Sequence, residues 1–318
     1  MSLMSPEVLC VGLISVDVLM HGTVPAVEPG GHTSFVDDIG LSVGGDAANQ
    51  AIVLAKLGHS VGLMALVGDD LAGDLAVRTV ERSGVDTSRI AVSSVVSTSV
   101  CLVQVAAGGE RSFVANRGGS AASFGPDHVR NRPLPTGLKV LSVGSLNCSR
   151  DLDAYVLPGL LAEARAAGVV TVADLVTDHL DVGLDELAPV LQHVDYLLPS
   201  ALEAQHYTGA GDAVEIAARF RDRGVGSVIL KVGADGAILV GDEGTIHRFR
   251  PPPATVVDTT GAGDCFVAGF VGGLLEDRSI EDCIRAGLTT AAWSIGAYGA
   301  TTGIPDLRRR SQSAKANP

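Results

Sequence analysis

The chain has 318 residues, of which 46% are hydrophobic and 19% are charged, so it can bury a sizeable core and wholesale disorder is excluded. The net charge of −13 argues against nucleic acid and anionic membranes as partners, because such a surface repels phosphate groups. Five scattered cysteines, no membrane-length apolar run and no signal-peptide pattern predict a cytoplasmic protein with free thiols.

Short β-rich runs alternate with Ala-rich helical stretches along most of the chain. Strands are predicted at 7–20, 61–68, 139–145, 169–175, 194–200, 227–233, 236–240 and 244–250. Helices are predicted at 47–58, 70–84, 157–168, 213–224, 262–276 and 280–297. This alternation predicts right-handed βαβ units, and therefore an α/β fold with a mostly parallel sheet covered on both faces.

Two regions, residues 18–42 and 95–118, lack a helical period. Their alternating residues and their Gly and Pro turns predict antiparallel strands that form a small accessory sheet. The chain contains no internal repeat and no low-complexity tract. We therefore expect a single domain over residues 1–318, with this accessory sheet as a lid.

The first glycine-rich turn, SVGGDAANQAIVLAKLG at residues 42–58, leads into the first predicted helix. Asp46 and Asn49 fall in the first turn of that helix, and Asn49 is a fairly poor helix former. The two side chains either face a site at the mouth of the helix or serve only as an N-cap and surface polar groups.

The second glycine-rich turn, DTTGAGDCFVAGF at residues 258–270, also leads into a helix. Gly261 and Gly263 permit an unusual backbone bend, and the first amides of the helix form an anion site. Asp264 in the same turn is either a base beside a bound phosphoryl group or a simple helix cap. A dinucleotide-binding loop is the third reading, but the G-x-G-x-x-G spacing is absent, as is a G-x-x-x-x-G-K-[ST] loop.

The two turns together resemble the signatures of the ribokinase/PfkB family of carbohydrate and nucleoside kinases. GGDAANQAIVLAKLG is similar to the first signature, and DTTGAGDCFVAGFVGGLL is similar to the second, more specific one. The segments GLISVDVLM, LVGDDLAGD and LLPSALEAQHYTG follow the family's order, so the resemblance covers essentially the whole chain. It implies a ribokinase-like three-layer α/β/α fold with a small β-sheet lid.

The resemblance also implies how the acceptor and the phosphoryl group are held. Asp264 corresponds to the general base, and the amides of Gly261, Ala262 and Gly263 correspond to the anion hole for the γ-phosphoryl group. The residues implied to bind the acceptor are Asp17, Gly44, Gly45, Asp46, Asn49, Arg117 and Asn147.

The nucleotide and its cations are implied to lie beside a second set of residues. Those implied at the nucleotide are Ser200, Lys231, Gly233 and Gly236. Glu203 is implied to orient Mg²⁺ through water. A monovalent cation, K⁺, is implied near Asp258, Thr260, Ser294, Ala297 and Gly299.

Two positions depart from the family's pattern. Ser200 stands where the family usually has Asn, and Lys231 stands where it usually has Thr. The hydroxyl of Ser200 reaches phosphate less well than an amide, and the point charge of Lys231 is a possible compensation. These departures keep open the alternative of a non-catalytic ligand-binding homologue.

We expect an ATP- and Mg²⁺-dependent kinase that phosphorylates a hydroxyl of a small neutral sugar. A nucleoside kinase is an alternative, disfavoured because the lid offers only Phe35 and Phe113 as aromatic side chains. A sugar-acid kinase, acting on a 2-keto-3-deoxygluconate-like acceptor, is another, since Arg117 would receive its carboxylate. Asp46 replaces the Lys of the ribokinase branch and, with Asp17, would repel a sugar phosphate.

We also expect a homodimer that forms through the lid. The edge strands of a small exposed sheet offer unpaired backbone groups to water. A second copy would cover these edges and close over the substrate.

Overall fold

The structure is a computed structural model that describes residues 5–22, 33, 35–105, 111–129, 132–177, 180 and 182–308. Its strands are β1 (Val8–Val11), β2 (Ser15–His21), β3 (Asp38–Gly44), β4 (Val61–Gly68), β5 (Asp86–Ser93), β6 (Val100–Val105), β7 (Arg111–Ala115), β8 (Val140–Leu146), β9 (Val170–Leu175), β10 (Tyr196–Leu197), β11 (Ser227–Lys231), β12 (Ala237–Val240) and β13 (Ile246–Phe249). Its helices are α1 (Asp46–Leu57), α2 (Leu71–Arg82), α3 (Ser120–Ser123), α4 (Pro126–Val129), α5 (Arg150–Tyr155), α6 (Leu157–Ala166), α7 (Gly183–Glu186), α8 (Ala188–Leu191), α9 (Ala201–Thr208), α10 (Ala213–Arg221), α11 (Ala262–Leu275) and α12 (Ile280–Ser294). No helix in these ranges is long and apolar enough to cross a membrane.

The main sheet has nine strands in the order β13-β12-β11-β10-β9-β8-β1-β4-β5. The strands from β11 to β5 pair in parallel, and only the two pairings at one edge, β11 with β12 and β12 with β13, are antiparallel. Central strands such as β4 are buried along their whole length, which explains their continuous apolar sequences. The predicted mostly parallel α/β sheet is confirmed.

Helices cover both faces of this sheet. One buried cluster packs α1, α11 and α12 against it, with Phe266 and Ile284 among its members. A second cluster covers the other face through α6, α9 and α10, with Leu161 and Phe220 in its interior. The ribokinase-like three-layer arrangement follows from these two apolar clusters.

A separate four-stranded sheet, the lid, has the order β3-β2-β6-β7. The predicted small sheet is confirmed, but the prediction that it is antiparallel is wrong for its central pair. β2 follows β1 and β6 follows β5 in the chain, and the carboxyl ends of β1 and β5 lie on the same side of the main sheet. β2 and β6 therefore enter the lid in the same direction and pair in parallel. Of the predicted lid segments, residues 23–32, 34 and 106–110 lie outside the described residues.

Two predicted boundaries shift for local reasons. The run 7–20 divides near Gly12, whose φ is 141°, so that β1 enters the main sheet and β2 enters the lid. The predicted strand 194–200 shortens to β10, because Pro199 directly precedes Ser200, the N-cap of α9. The sequence pattern did not predict the edge strand β5.

Candidate active site

The bend before α11 creates a helix N-terminus with exposed donors. Gly261 adopts a left-handed conformation with φ of 68°, and a Cβ added there would lie 2.4 Å from the Cβ of Ala300. Only glycine therefore suits this position. The N–H groups of Gly261, Gly263 and Asp264 find no acceptor in the described part of the chain. They form an anion site at the positive end of the helix dipole.

The predicted anion hole needs one correction. The N–H of Ala262 donates to the carbonyl oxygen of Thr259 at 3.3 Å, which closes the turn before the helix. The amide of Ala262 is thus used within the protein, and the donors that remain are those of its neighbours.

Asp264 lies in the first turn of α11 and is buried against α1. The Nδ2 of Asn49 donates a hydrogen bond of 2.7 Å to Oδ2 of Asp264, which brings together the two glycine-rich turns. Burial raises the pKa of Asp264 to about 6, against the opposing effects of Asn49 and the charge of Lys231. At neutral pH the carboxyl is mostly ionised, yet it is a stronger base than an exposed Asp.

Asp46 lies at the start of α1, near this centre. The Oγ of Ser145, in β8, donates to Oδ2 of Asp46 at 3.1 Å. Burial, followed by the charges of Asp264 and Asp174, raises the pKa of Asp46 well above its usual range. Asp46 thus belongs to the same carboxylate cluster as the predicted base.

Asp17 occupies the lid face that looks toward the cluster. In the lid it pairs with Ser42 on one side and Cys101 on the other. A Cβ at Gly44 would lie only 2.1 Å from Oδ2 of Asp17, so this glycine makes room for the carboxylate. Gly45, with φ of 91°, lets the chain turn into α1 past the carbonyl of Leu13.

Lys231 ends β11 and points toward the first turn of α11. Its Nζ lies 2.5 Å from Oδ2 of Asp174 and 3.3 Å from the position that a Cβ on Gly263 would take. Burial alone would lower the pKa of Lys231, but the carboxylates of Asp174 and Glu203 outweigh it and raise the pKa. The ammonium is therefore a fixed positive charge beside the anion hole.

Ser200 and Glu203 form the cap of α9. The Oγ of Ser200 accepts from the N–H of Glu203 at 3.2 Å, and Oε2 of Glu203 accepts from the N–H of Ser200 at 2.8 Å. Ser200 also bridges to Lys231 on the neighbouring strand. The two departures from the family pattern are thus direct neighbours.

The turn between β11 and β12 contains two further predicted residues. Gly233 has φ of 60° and Gly236 has φ of 93°. A Cβ on Gly236 would lie 2.0 Å from the carbonyl oxygen of Phe249, so the turn requires glycine there. This turn follows Lys231 directly.

Asp258 joins the loop before α11 to the loop after α12. Its Oδ1 accepts from the N–H and the Oγ1 of Thr260, at 2.8 and 2.6 Å, and its Oδ2 accepts from the N–H of Gly299 at 2.8 Å. Ser294 ends α12 and Ala297 follows it in the second loop, where the N–H of Ala297 donates to the carbonyl of Ser294 at 3.3 Å. The residues predicted around a monovalent cation are therefore held close together.

Two predicted acceptor-binding residues are placed differently from the others. Arg117 is exposed on the turn after β7, and the structure gives it no contact with the carboxylate cluster. Asn147 is buried with φ of 71°, and its Nδ2 donates to the hydroxyl of Tyr207 in α9. Sequence reasoning also missed Asp174 and Ser145, which lie near the ends of the buried strands β9 and β8 and reach the cluster only in the folded sheet.

The chain is similar to several known carbohydrate and nucleoside kinases. The profile of the pfkB family carbohydrate kinases matches residues 5–307. The ribokinase of Haemophilus influenzae is 28% identical over 291 residues, which cover 89% of this chain and 90% of the relative. The aminoimidazole riboside kinase of Salmonella typhimurium is 29% identical, with 82% and 84% coverage. The solved structure of Arabidopsis thaliana ribokinase complexed with ribose and ATP superposes with a TM-score of 0.78, at 24% identity and 97% and 98% coverage.

Proposed function

The chain belongs to the pfkB family of carbohydrate kinases, and from this premise we propose that it transfers the γ-phosphoryl group of ATP to a hydroxyl of a small neutral sugar. The observation that carries the proposal is the contact between Asp264 and Asn49 beside the free amides of α11. A base of raised pKa and an anion site meet there, as phosphoryl transfer to an alcohol requires.

The transfer needs two kinds of group from the protein. Asp264 accepts the proton of the acceptor hydroxyl. The oxygen of that hydroxyl forms a bond to the γ-phosphorus of ATP, and the bond between the γ-phosphorus and the oxygen that leaves with ADP breaks. The amides of Gly261 and Gly263 and the ammonium of Lys231 stabilise the negative charge on the phosphoryl oxygens. Catalysis therefore rests mainly on position and charge.

Mg²⁺ suits this site as an ion held chiefly by phosphate and water. No group of three or more metal-ligating side chains occurs among the described residues, and Mg²⁺ commonly keeps several waters beside nucleotide phosphates. Oε2 of Glu203 is engaged in the cap of α9, which fixes the side chain so that the other oxygen can orient a Mg²⁺-bound water. Bound Mg²⁺ would supply further positive charge to the phosphates.

K⁺ suits the two loops that Asp258 joins. Its carboxylate accepts hydrogen bonds from N–H and hydroxyl donors of Thr260 and Gly299. The same contacts hold the loop backbones together, so that carbonyl oxygens of Ser294 and Ala297 are the natural ligands. We propose that this ion stabilises the loop before the anion hole.

Neutral acceptors should react best. Asp17, Asp46, Asp174 and Asp264 concentrate acidic groups around the site, and burial together with the charges of Asp264 and Asp174 raises the pKa of Asp46. Sugar hydroxyls can donate to such groups, whereas a phosphate dianion is repelled. In a kinetic panel, we expect kcat/KM to be highest for a neutral sugar or nucleoside, lower for a sugar acid and lowest for a sugar phosphate.

The same kinetic panel tests the role of Asp46 and the alternative functions, namely a nucleoside kinase and a non-catalytic homologue. Asp46→Lys should raise kcat/KM for sugar phosphates relative to neutral sugars. Highest activity on a fructose or tagatose monophosphate with the natural chain would contradict the charge argument. Nucleosides belong in the panel because Phe113 lies on the same lid face as Asp17. ATP binding without turnover of any acceptor would favour the non-catalytic homologue.

We propose that the protein is a cytoplasmic homodimer of single-domain subunits that pair through their lids. The lid face opposite Asp17 carries a row of aliphatic side chains across all four strands, namely Leu41, Val18, Leu102 and Val114. Leu41 and Val114 are 65% and 68% exposed. An apolar patch of this kind commonly marks a protein interface.

Light scattering should therefore show a dimer at micromolar concentration. Leu41→Lys combined with Val114→Lys should shift it to a monomer, because charge replaces apolar contact at both ends of the row. Val92→Lys is the matched control, since Val92 is similarly exposed, at 61%, but belongs to the main sheet. A strict monomer in the natural chain would contradict pairing through the lid.

A further inference from the structure

The charges at the proposed transfer site are unbalanced. Carboxyl groups from four separate parts of the fold approach it, and Lys231 is the one ammonium among the described residues that the cluster contacts. A polyanionic nucleotide must enter this acidic surrounding. The position of the ammonium of Lys231 therefore decides whether phosphate can be held there.

Asp174 fixes that position. It is the next-to-last residue of β9, is only 4% exposed, and accepts hydrogen bonds at both oxygens. Its Oδ1 accepts from the N–H of Leu175 at 2.9 Å, and its Oδ2 accepts from Nζ of Lys231 at 2.5 Å. The first contact locks the carboxylate against its own backbone, so the second holds the ammonium to a rigid point.

The backbone of Lys231 is anchored as well. Its N–H donates to the carbonyl oxygen of Pro199 at 2.9 Å, and the residue bridges to Ser200 on the neighbouring chain segment. With both ends held, Nζ lies beside Gly263, whose free N–H forms part of the anion site. A lysine held only at its backbone would leave its ammonium spread over several rotamers.

We propose that Asp174 is a positioning residue, which holds the ammonium of Lys231 against the first turn of α11 and releases it to the phosphates when ATP binds. This inference rests on the proposed kinase function. In this role Asp174 would touch neither the acceptor nor the nucleotide. It acts through Lys231, which forms the contact with the phosphoryl oxygens.

The proposal gives Asp174 two opposed effects. Its contact with Lys231 orients a positive charge for the transition state, which favours transfer. Its own negative charge disfavours the arrival of ATP, and it competes with phosphate for the ammonium. A residue with a merely structural role would not separate these effects.

The test is Asp174→Asn, which keeps the shape of the side chain and removes its charge. We expect kcat to fall by roughly 10- to 100-fold, because the ammonium is less well placed. We expect the Kd of MgATP, measured by titration calorimetry, to fall by about threefold or more, because a nearby negative charge is gone. Loss of kcat together with tighter ATP binding is the signature of the proposed role.

Lys231→Met completes a double-mutant cycle. Alone it should weaken ATP binding and lower kcat by about 10²- to 10³-fold, the usual cost of one transition-state donor. Once Lys231 is replaced, Asp174→Asn should add little further loss of kcat, since its effect acts through that lysine. Fully additive losses of kcat would overturn the proposal.

The matched control is Asp195→Asn. Asp195 lies near the opposite end of β9, where its Oδ2 accepts from the N–H and Oγ1 of Thr171, both at 2.9 Å, and its Oδ1 pairs with Arg165. This change also removes a charge and an ion pair from an Asp beside β9. It should leave kcat and the Kd of MgATP unchanged whatever it does to the melting temperature.

The outcomes that would overturn the positioning role of Asp174 differ from the one that would overturn the kinase function. The inference is overturned if Asp174→Asn leaves both constants unchanged or weakens ATP binding in parallel with kcat. If Asp174→Asn does not fold, Asp174→Glu replaces it as the test, because it keeps the charge but moves it by one methylene. Asp174→Glu should lower kcat without tightening ATP binding. A normal kcat in Asp174→Glu would overturn the inference. A natural chain that neither binds nor turns over ATP would overturn the proposed function instead, so the two failures are distinguishable.

Discussion

Replacing Asp264 by Asn should lower kcat by at least the 10²- to 10⁴-fold range that general-base catalysis typically provides. The amide keeps the shape of the side chain, and its oxygen can still accept from Nδ2 of Asn49, which donates to Oδ2 of Asp264 at 2.7 Å. It cannot take the proton of the acceptor hydroxyl. Binding of MgATP, measured by calorimetry, should therefore persist while steady-state turnover is lost.

A matched control separates this role from that of a helix cap. Asp74 is another acidic residue in the first turn of a helix, in α2, where it is exposed and paired with Arg78. Asp74→Asn should cost a little stability through the helix dipole and leave kcat unchanged. Near-normal kcat in Asp264→Asn would mean that Asp264 is also only a cap.

The pH dependence of the natural enzyme provides a second check on the same residue. Since Asp264 must be ionised to act as a base and its pKa is about 6, kcat/KM should fall as the pH drops through that value. The tenfold loss per pH unit expected below the pKa should be absent from the residual activity of Asp264→Asn.

The second large effect is expected from Gly261→Ala. The added Cβ would overlap the Cβ of Ala300 at 2.4 Å, and the residue would have to keep a left-handed backbone with φ of 68°. A non-glycine residue in this conformation costs about 1–3 kcal/mol before any overlap is counted. Because the anion-site amides would shift with the bend, kcat should fall by about 10²-fold or more.

Gly209→Ala is the control for that substitution. Gly209 ends α9 with φ of 66°, and nothing lies within 4 Å of the Cβ it would gain. It carries the same backbone cost without the overlap and away from the anion site. Thermal unfolding should show a loss of stability in both variants, and kinetics should show a loss of kcat only in Gly261→Ala. Equal kcat in the two would contradict the structural role of the bend.

The sequence alone predicted those parts of the candidate site in which one short segment contains both the turn and the chemical group. Gly261 and Asp264 belong to one such segment, and Gly45 and Asn49 belong to another. The fold confirms that the two segments meet, through the hydrogen bond between Asn49 and Asp264. Family resemblance, rather than local pattern, indicated that they would meet.

Contacts that depend on the order of strands in the sheet were not predictable in this way. Asp174 and Lys231 are 57 residues apart and meet because β9 and β11 flank the short strand β10. The only local signal for Asp174 is an acid at the end of a buried strand. Likewise, nothing in β2 or β6 alone indicates that the two are parallel neighbours, since that follows from the path of the chain out of the main sheet.

Site residues on loops and strand ends were the hardest to assign. Asn147 follows β8 as expected, but its amide donates to Tyr207 on the side of α9. Arg117 is exposed in the turn after β7. Position in the family's order locates such residues along the chain without fixing the direction of their side chains.

The most direct test of phosphoryl transfer is ³¹P NMR of the natural enzyme with ATP, Mg²⁺ and the best acceptor of the kinetic panel. We predict that the γ-phosphate signal of ATP decreases while ADP and one phosphomonoester of the acceptor increase in equal amounts. The Asp264→Asn variant should show neither change over the same period. Release of inorganic phosphate alone, or no consumption of ATP with any acceptor, would contradict the account.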